Sequence, residues 1–158
     1  NAHVNYIVEG ASQKLWFLRR KLTYCTPKTK LTTYTTLIRP ILEYAGLLWD
    51  PYTAKNIQKL ERIQTKALRF VYNRYDRLTS VSQLYTLSSI PELKTRRKIN
   101  RLKFLYNIVN GNVKLPFEKY MQYNTSRQTH NKHEKTIIVR QAKEDFFKYS
   151  IIPRAVHE

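Results

Sequence analysis

Acidic residues are scarce in this chain: 11 aspartates and glutamates stand against 29 lysines and arginines in 158 residues, a net charge of +18. Cys25 is the single cysteine, which excludes an internal disulfide and any multi-cysteine zinc site. It follows a tyrosine at a helix junction with no base marked beside it, so an inert thiol is expected. Gly10, Gly46 and Gly111 each stand alone, which excludes a glycine-rich phosphate cradle. No apolar run approaches the ~20 residues that cross a bilayer, Tyr44 to Trp49 being among the longest. The N-terminus has no signal-peptide character, so an intracellular location is expected, nuclear or cytoplasmic rather than secreted.

Catalytic carboxylates are also missing. Two-metal nucleotide transfer needs acids gathered around cations ~3.5–4 Å apart, whereas Asp50, Asp76 and Asp145 are scattered along the chain. Asp50 has a plainer use as a helix cap, and Glu144-Asp145 beside Lys143 suits a surface ion cluster. His130 and His133 have metal-compatible spacing, but no cysteine lies near and their surroundings are polar, so no zinc site is expected. No catalytic residue, metal or cofactor is assigned, and the chain on its own is expected not to be an enzyme.

What is present is apolar periodicity. With 42% hydrophobic residues the chain can bury a core, enough for one domain or one domain with a tail. Val4, Ile7, Val8, Ala11, Leu15, Leu18 and Leu22 form one helical stripe. Arg19, Arg20 and Lys21 near its end suit either the helix dipole or a phosphate. Thr26-Pro27 opens a second helix through Leu31, Tyr34, Leu37, Ile38, Ile41 and Ala45. Pro40 predicts a kink or an end near Leu37, and Gly46 predicts the stop. Asp50-Pro51 or Thr53 starts a third helix, running to about Tyr72. Ser80 to Gln83 matches a capping box for a short helix to about Leu87. Pro91 opens a last helix, closed by Asn110-Gly111, with Ile99, Leu102, Leu105, Tyr106 and Val109 suited to a core. Gln122 to Thr136 reads as a polar linker. TIIVR and FFKYSII beyond it are short β-prone runs, too isolated to make a sheet from this chain alone. The expected fold is mainly α: a small antiparallel bundle of about four to five helices over 1–111, a linker over 112–136, and a poorly structured β-prone tail over 137–158.

The third helix carries the functional signal. In KNIQKLERIQTKALRF, Lys55, Lys59, Arg62, Lys66 and Arg69 fall within roughly 80° of one another at 100° per residue. Ile57, Leu60, Ile63, Ala67 and Val71 gather about 140° away. A solvated face usually mixes signs, yet Glu61 is the one acid here. A polyanion relieves such an excess, nucleic acid first and an anionic membrane second; no membrane partner is expected, because the apolar stripes are committed to each other. Arg96, Arg97, Lys98 and Arg101 offer a second phosphate line. Tyr72 and Tyr75 lie among Arg69, Arg74 and Arg77, an arrangement suited to base stacking; alternatively Tyr72 packs and Tyr75 caps a loop. Trp49, ending an apolar run, belongs to the core.

The ordered stretches HVNYIVEGASQKLWFLRRKL, LTTYTTLIRPILEYAGLLWDPYT, IQKLERIQTKALRFVYNRYDR and FKYSIIPRAVHE resemble the region after the polymerase core in LINE-like (non-long-terminal-repeat) retrotransposon reverse transcriptases, nearest to the jockey-like elements of arthropod genomes. Leu37 to Pro51, followed by ERIQTKALRF, is the most specific part, and the likeness spans nearly the whole chain. It implies a thumb and the segment beyond it, a helical bundle that holds a template–primer duplex of RNA and DNA. The family's catalytic aspartate pair lies upstream in the palm and has no counterpart here, so magnesium is expected only in that palm. A start at Asn1, with Met121 the sole methionine, and a stop just past Ile152-Pro153-Arg154 fit an excerpt of a longer protein. The competing expectation, from another class, is a helical protein-interaction module that docks on an acidic partner or on the palm of the same polypeptide.

Overall fold

The computed structural model describes residues 2–76, 78–115, 117–123, 137–139 and 145–157, and the chain is mainly helical. Two compact units divide inside one helix, at Arg97 and Lys98.

The first unit begins with α1 (Ala2–Lys21), which buries Val4, Ile7, Ala11, Leu15 and Leu18, a stripe at helical spacing. Helix α2 (Pro27–Thr33) is capped by Thr26, whose hydroxyl accepts from the Thr29 amide at 3.3 Å. Pro40 has no N–H for the i−4 carbonyl. The chain answers with a π-helical turn, Tyr34–Ile38, in which the Arg39 amide reaches back to the Tyr34 carbonyl. Helix α3 (Arg39–Glu43) follows. The reversal after it comes one residue before the expected Gly46: Ala45 is left-handed at φ 49°, and Gly46 instead starts α4 (Gly46–Trp49). The Trp49 indole, donating to the Tyr44 carbonyl at 2.6 Å, ties that reversal down.

Helix α5 (Ala54–Tyr72) starts after Thr53, the later of the two expected starts, and ends at left-handed Asn73. It buries Leu60, Ile63, Ala67, Leu68, Phe70 and Val71, each worth up to roughly 1.5–3 kcal/mol for the larger side chains. Helix α1 packs on it in the same direction, since Asn5 meets Lys59 near their starts and Arg19 in the last turn of α1 meets Tyr75 just past the end of α5. The chain between them returns antiparallel, with Lys30 near Asn73. At the centre Gln64, without exposure, accepts from the Tyr34 hydroxyl at 2.6 Å and donates to the Pro91 carbonyl at 2.9 Å. Nothing in the apolar periodicity marks this polar residue as core. Helix α6 (Val81–Ser88) has the full capping box of Ser80 and Gln83.

Helix α7 (Leu93–Val109) crosses the division, and its burial reverses the sequence expectation. Leu93, Arg97, Arg101 and Ile108 are buried, while Ile99, Leu102 and Tyr106 are exposed. Periodicity places apolar residues on one face but does not say that this face is covered.

In the second unit, α8 (Phe117–Tyr120) leads into β1 (Met121–Tyr123), which pairs antiparallel with β2 (Ile137–Val139) in the register Met121↔Val139. Ile137–Val139 of TIIVR thus do supply a strand, and the expected linker over 112–136 is structured near its start, holding α8 and β1; its stretch 124–136, with His130 and His133, lies outside the described residues. FFKYSII is not β: it contributes to α9 (Asp145–Lys148) and α10 (Ile151–His157). Pro153 explains this, being tolerated in a helix's first turn and excluded from a strand interior. Helix α10 packs on β2, covering a pair of strands that would be marginal alone.

Candidate nucleic-acid interface

Helix α5 turns its apolar stripe inward, and its cations follow on the other side. Lys55, Arg62 and Lys66 are exposed. Lys59 is half-buried and donates to the Asn5 side-chain oxygen at 2.6 Å, a neutral partner that leaves its charge available to an anion.

Arg69 leaves the ridge. Its Nη1 donates to the carbonyls of Arg74 at 3.0 Å and Asp76 at 3.2 Å, and its Nη2 to that of Thr79 at 3.3 Å. The guanidinium thereby serves carbonyls in the loop after α5 that helical pairing cannot reach. Asp76 closes the same loop by accepting from the Thr79 amide at 2.6 Å and hydroxyl at 2.8 Å. Those bonds, the hydroxyl's first, hold its carboxyl below the ordinary carboxylate value.

Glu61 does not oppose the ridge. It turns away, accepting from the Tyr85 hydroxyl at 3.1 Å and from the Lys94 amide at 2.7 Å in the first turn of α7. A carboxylate at a helix N-terminus is favoured by the dipole and by the unpaired amides there. Burial first, and the Glu61 charge second, push the Tyr85 phenol up to about 12.

The second expected line does not form. Arg96 makes two hydrogen bonds to the Glu43 carboxylate, and that bond raises its pKa from the ordinary arginine value. Arg97 is buried with its Nε 3.6 Å from Asp50, so Asp50 is the partner of a buried arginine rather than a cap for α5. Arg101 is 4% exposed and Lys98 is exposed. These cations spread around α7 at about 100° per residue, with Arg97 and Arg101 buried and Arg96 paired to Glu43.

The two tyrosines separate. The half-buried Tyr72 ring sends its hydroxyl to the Leu87 carbonyl at 3.0 Å, so it packs. Tyr75 is 52% exposed with the Arg19 guanidinium 5.2 Å from its centroid, in reach of solvent and of ligand. Trp49 packs against the core, edge-on to His3. Sequence reasoning passed over Trp16, half-exposed beside Arg20, although their i, i+4 spacing carried the signal.

Among the described residues no three His, Cys, Asp or Glu side chains are placed to share a metal ion, and no helix is long and apolar enough to cross a membrane. Asp50 and Asp76 have different partners in different places, which does not fit a magnesium pair. Comparison with protein families, with characterised proteins and with solved structures finds no match to this chain.

Proposed function

We propose that this chain is a non-catalytic segment that grips a template–primer duplex of RNA and DNA by its phosphates. It would serve a reverse transcriptase of the LINE-like kind whose polymerase chemistry resides in another part of the polypeptide. One observation carries the reading: Lys55, Lys59, Arg62 and Lys66 share one side of α5, and the acid on that helix is turned away from them. From Lys55 to Lys66 the helix advances about 16 Å, a length over which one duplex strand presents about five phosphates. Contacts of this kind hold a duplex without reading its sequence. The likeness of Leu37 to Pro51 and the following helix to a polymerase thumb supports the same use.

Arg69 is occupied, so four neutralised phosphates are expected rather than five. The plot of log affinity against log salt should slope by about −3.6, and a fourfold rise in salt should weaken binding about 150-fold. Replacing Lys59, Arg62 and Lys66 with Glu should abolish duplex retention in a shift assay, whereas Arg69→Met should leave the slope unchanged. Undiminished binding by the triple variant would remove this ridge from the contact. The exposed Ile99, Leu102 and Tyr106 favour a second use, docking on the palm of the same polypeptide. A folded chain with no affinity for RNA or DNA at low salt would favour that role instead.

A further inference from the structure

Where α1 and α5 end, a cleft of about 390 Å³ opens, lined by Trp16, Arg19, Arg20, Phe70, Asn73 and Tyr75. Its size falls within the ~300–1,000 Å³ usual for small-molecule sites. Two large rings stand exposed at its edge, Trp16 at 57% and Tyr75 at 52%. Each is accompanied by a guanidinium: that of Arg20 lies 3.9 Å from the Trp16 centroid, and that of Arg19 lies 5.2 Å from the Tyr75 centroid. The first pair is fixed by one turn of α1. The second is fixed by the loop that Arg69 and Asp76 hold in place.

Phe70 is 5% exposed, and against its ring the Lys30 ammonium sits 4.8 Å away, donating to the Asn73 side-chain oxygen at 3.3 Å. Lys30 is 2% exposed, so a positive charge is buried behind the cleft, and the lining holds no carboxylate. A ligand that satisfies both features needs a flat π-face and an anionic group within one residue's length. An acidic peptide or a lipid headgroup supplies the anion without the ring; a nucleotide supplies both.

We propose that this cleft binds an unpaired nucleotide at a single-stranded overhang. The base stacks on Trp16 or Tyr75, and its phosphate meets Arg19 and Arg20. The inference rests on the duplex-gripping reading of α5: Asn73 lies eighteen residues after Lys55, about five helical turns, so a duplex followed along the ridge arrives at the cleft.

Fluorescence anisotropy on the full chain tests it with three probes: a blunt RNA–DNA duplex, the same duplex with a short overhang, and one whose overhang is abasic. The overhang should raise affinity about tenfold, the effect of one stacked base. The abasic overhang, which keeps its phosphates, should lose that gain. Trp16→Ala combined with Tyr75→Ala should abolish the gain while blunt-duplex affinity and salt slope stay as in the parent. Both rings are exposed, so the fold should tolerate their loss, and circular dichroism checks that. Equal binding of blunt and overhanging duplexes, or a gain that persists in the abasic probe or the double variant, overturns this inference and leaves the ridge standing. Failure of the parent chain to bind any duplex overturns both.

Discussion

Replacing Gln64 with Leu nearly preserves the volume of a side chain that has no exposure and removes its hydrogen bonds to Tyr34 and Pro91. Pro91 is exposed, so its carbonyl can turn to water. The Tyr34 residue is 2% exposed, and its hydroxyl has no such recourse. A buried group left without its partner costs about 1–3 kcal/mol, which for a chain of this size lowers Tm by about 2–4 °C per kcal/mol. Tyr34→Phe orphans the Gln64 carbonyl oxygen instead and should cost a similar amount. The double variant removes both partners together, so the two penalties should not sum, and the coupling energy should be about 1–3 kcal/mol. Urea unfolding of the four proteins, followed by helical circular dichroism near neutral pH, measures every term. Strictly additive losses, or a Gln64→Leu protein as stable as the parent, would refute the claim that this bond joins α5 to the π-helical turn.

Alkaline pH should loosen the same region. The Tyr85 phenol is raised from 10.0 to about 12, and Tyr34 is raised further by its burial, so the fold favours both neutral forms. That stability is complete below pH ~10 and is lost as pH rises through about 12; urea midpoints should fall across the window, and Tyr85→Phe should flatten part of the fall. Glu61→Ala should cost about 1–3 kcal/mol by releasing the Lys94 amide and the Tyr85 hydroxyl, read as a lower Tm with faster amide exchange at Lys94. Because the variant also removes a negative charge, its duplex affinity should not drop, which separates this structural role from the ridge's role in binding.

Local rules sufficed where the deciding residues are neighbours in the chain. The caps at Thr26 and Ser80, the disturbance that Pro40 imposes and the inward stripes of α1 and α5 each follow from a few adjacent side chains, and the structure has them all. The same holds for the run of cations on α5, whose spacing alone puts them on one side. For the start of α5, adjacent residues allow both Asp50-Pro51 and Thr53, of which the fold takes the second. What the chain could not declare is which cations remain available. Arg69 continues the spacing of Arg62 and Lys66, and Arg96 and Arg97 carry the same charge, but three loop carbonyls occupy the first, Glu43 the second and Asp50 the third. Glu43 and Asp50 stand far from α7 in sequence, so no periodicity within that helix reveals the pairing. Tertiary structure likewise separated Tyr72 from Tyr75 and gathered Trp16, Arg20 and Tyr75 around one cleft. A charge or a ring has the same chemistry wherever it sits; its role depends on what the folded chain brings within a few ångströms of it.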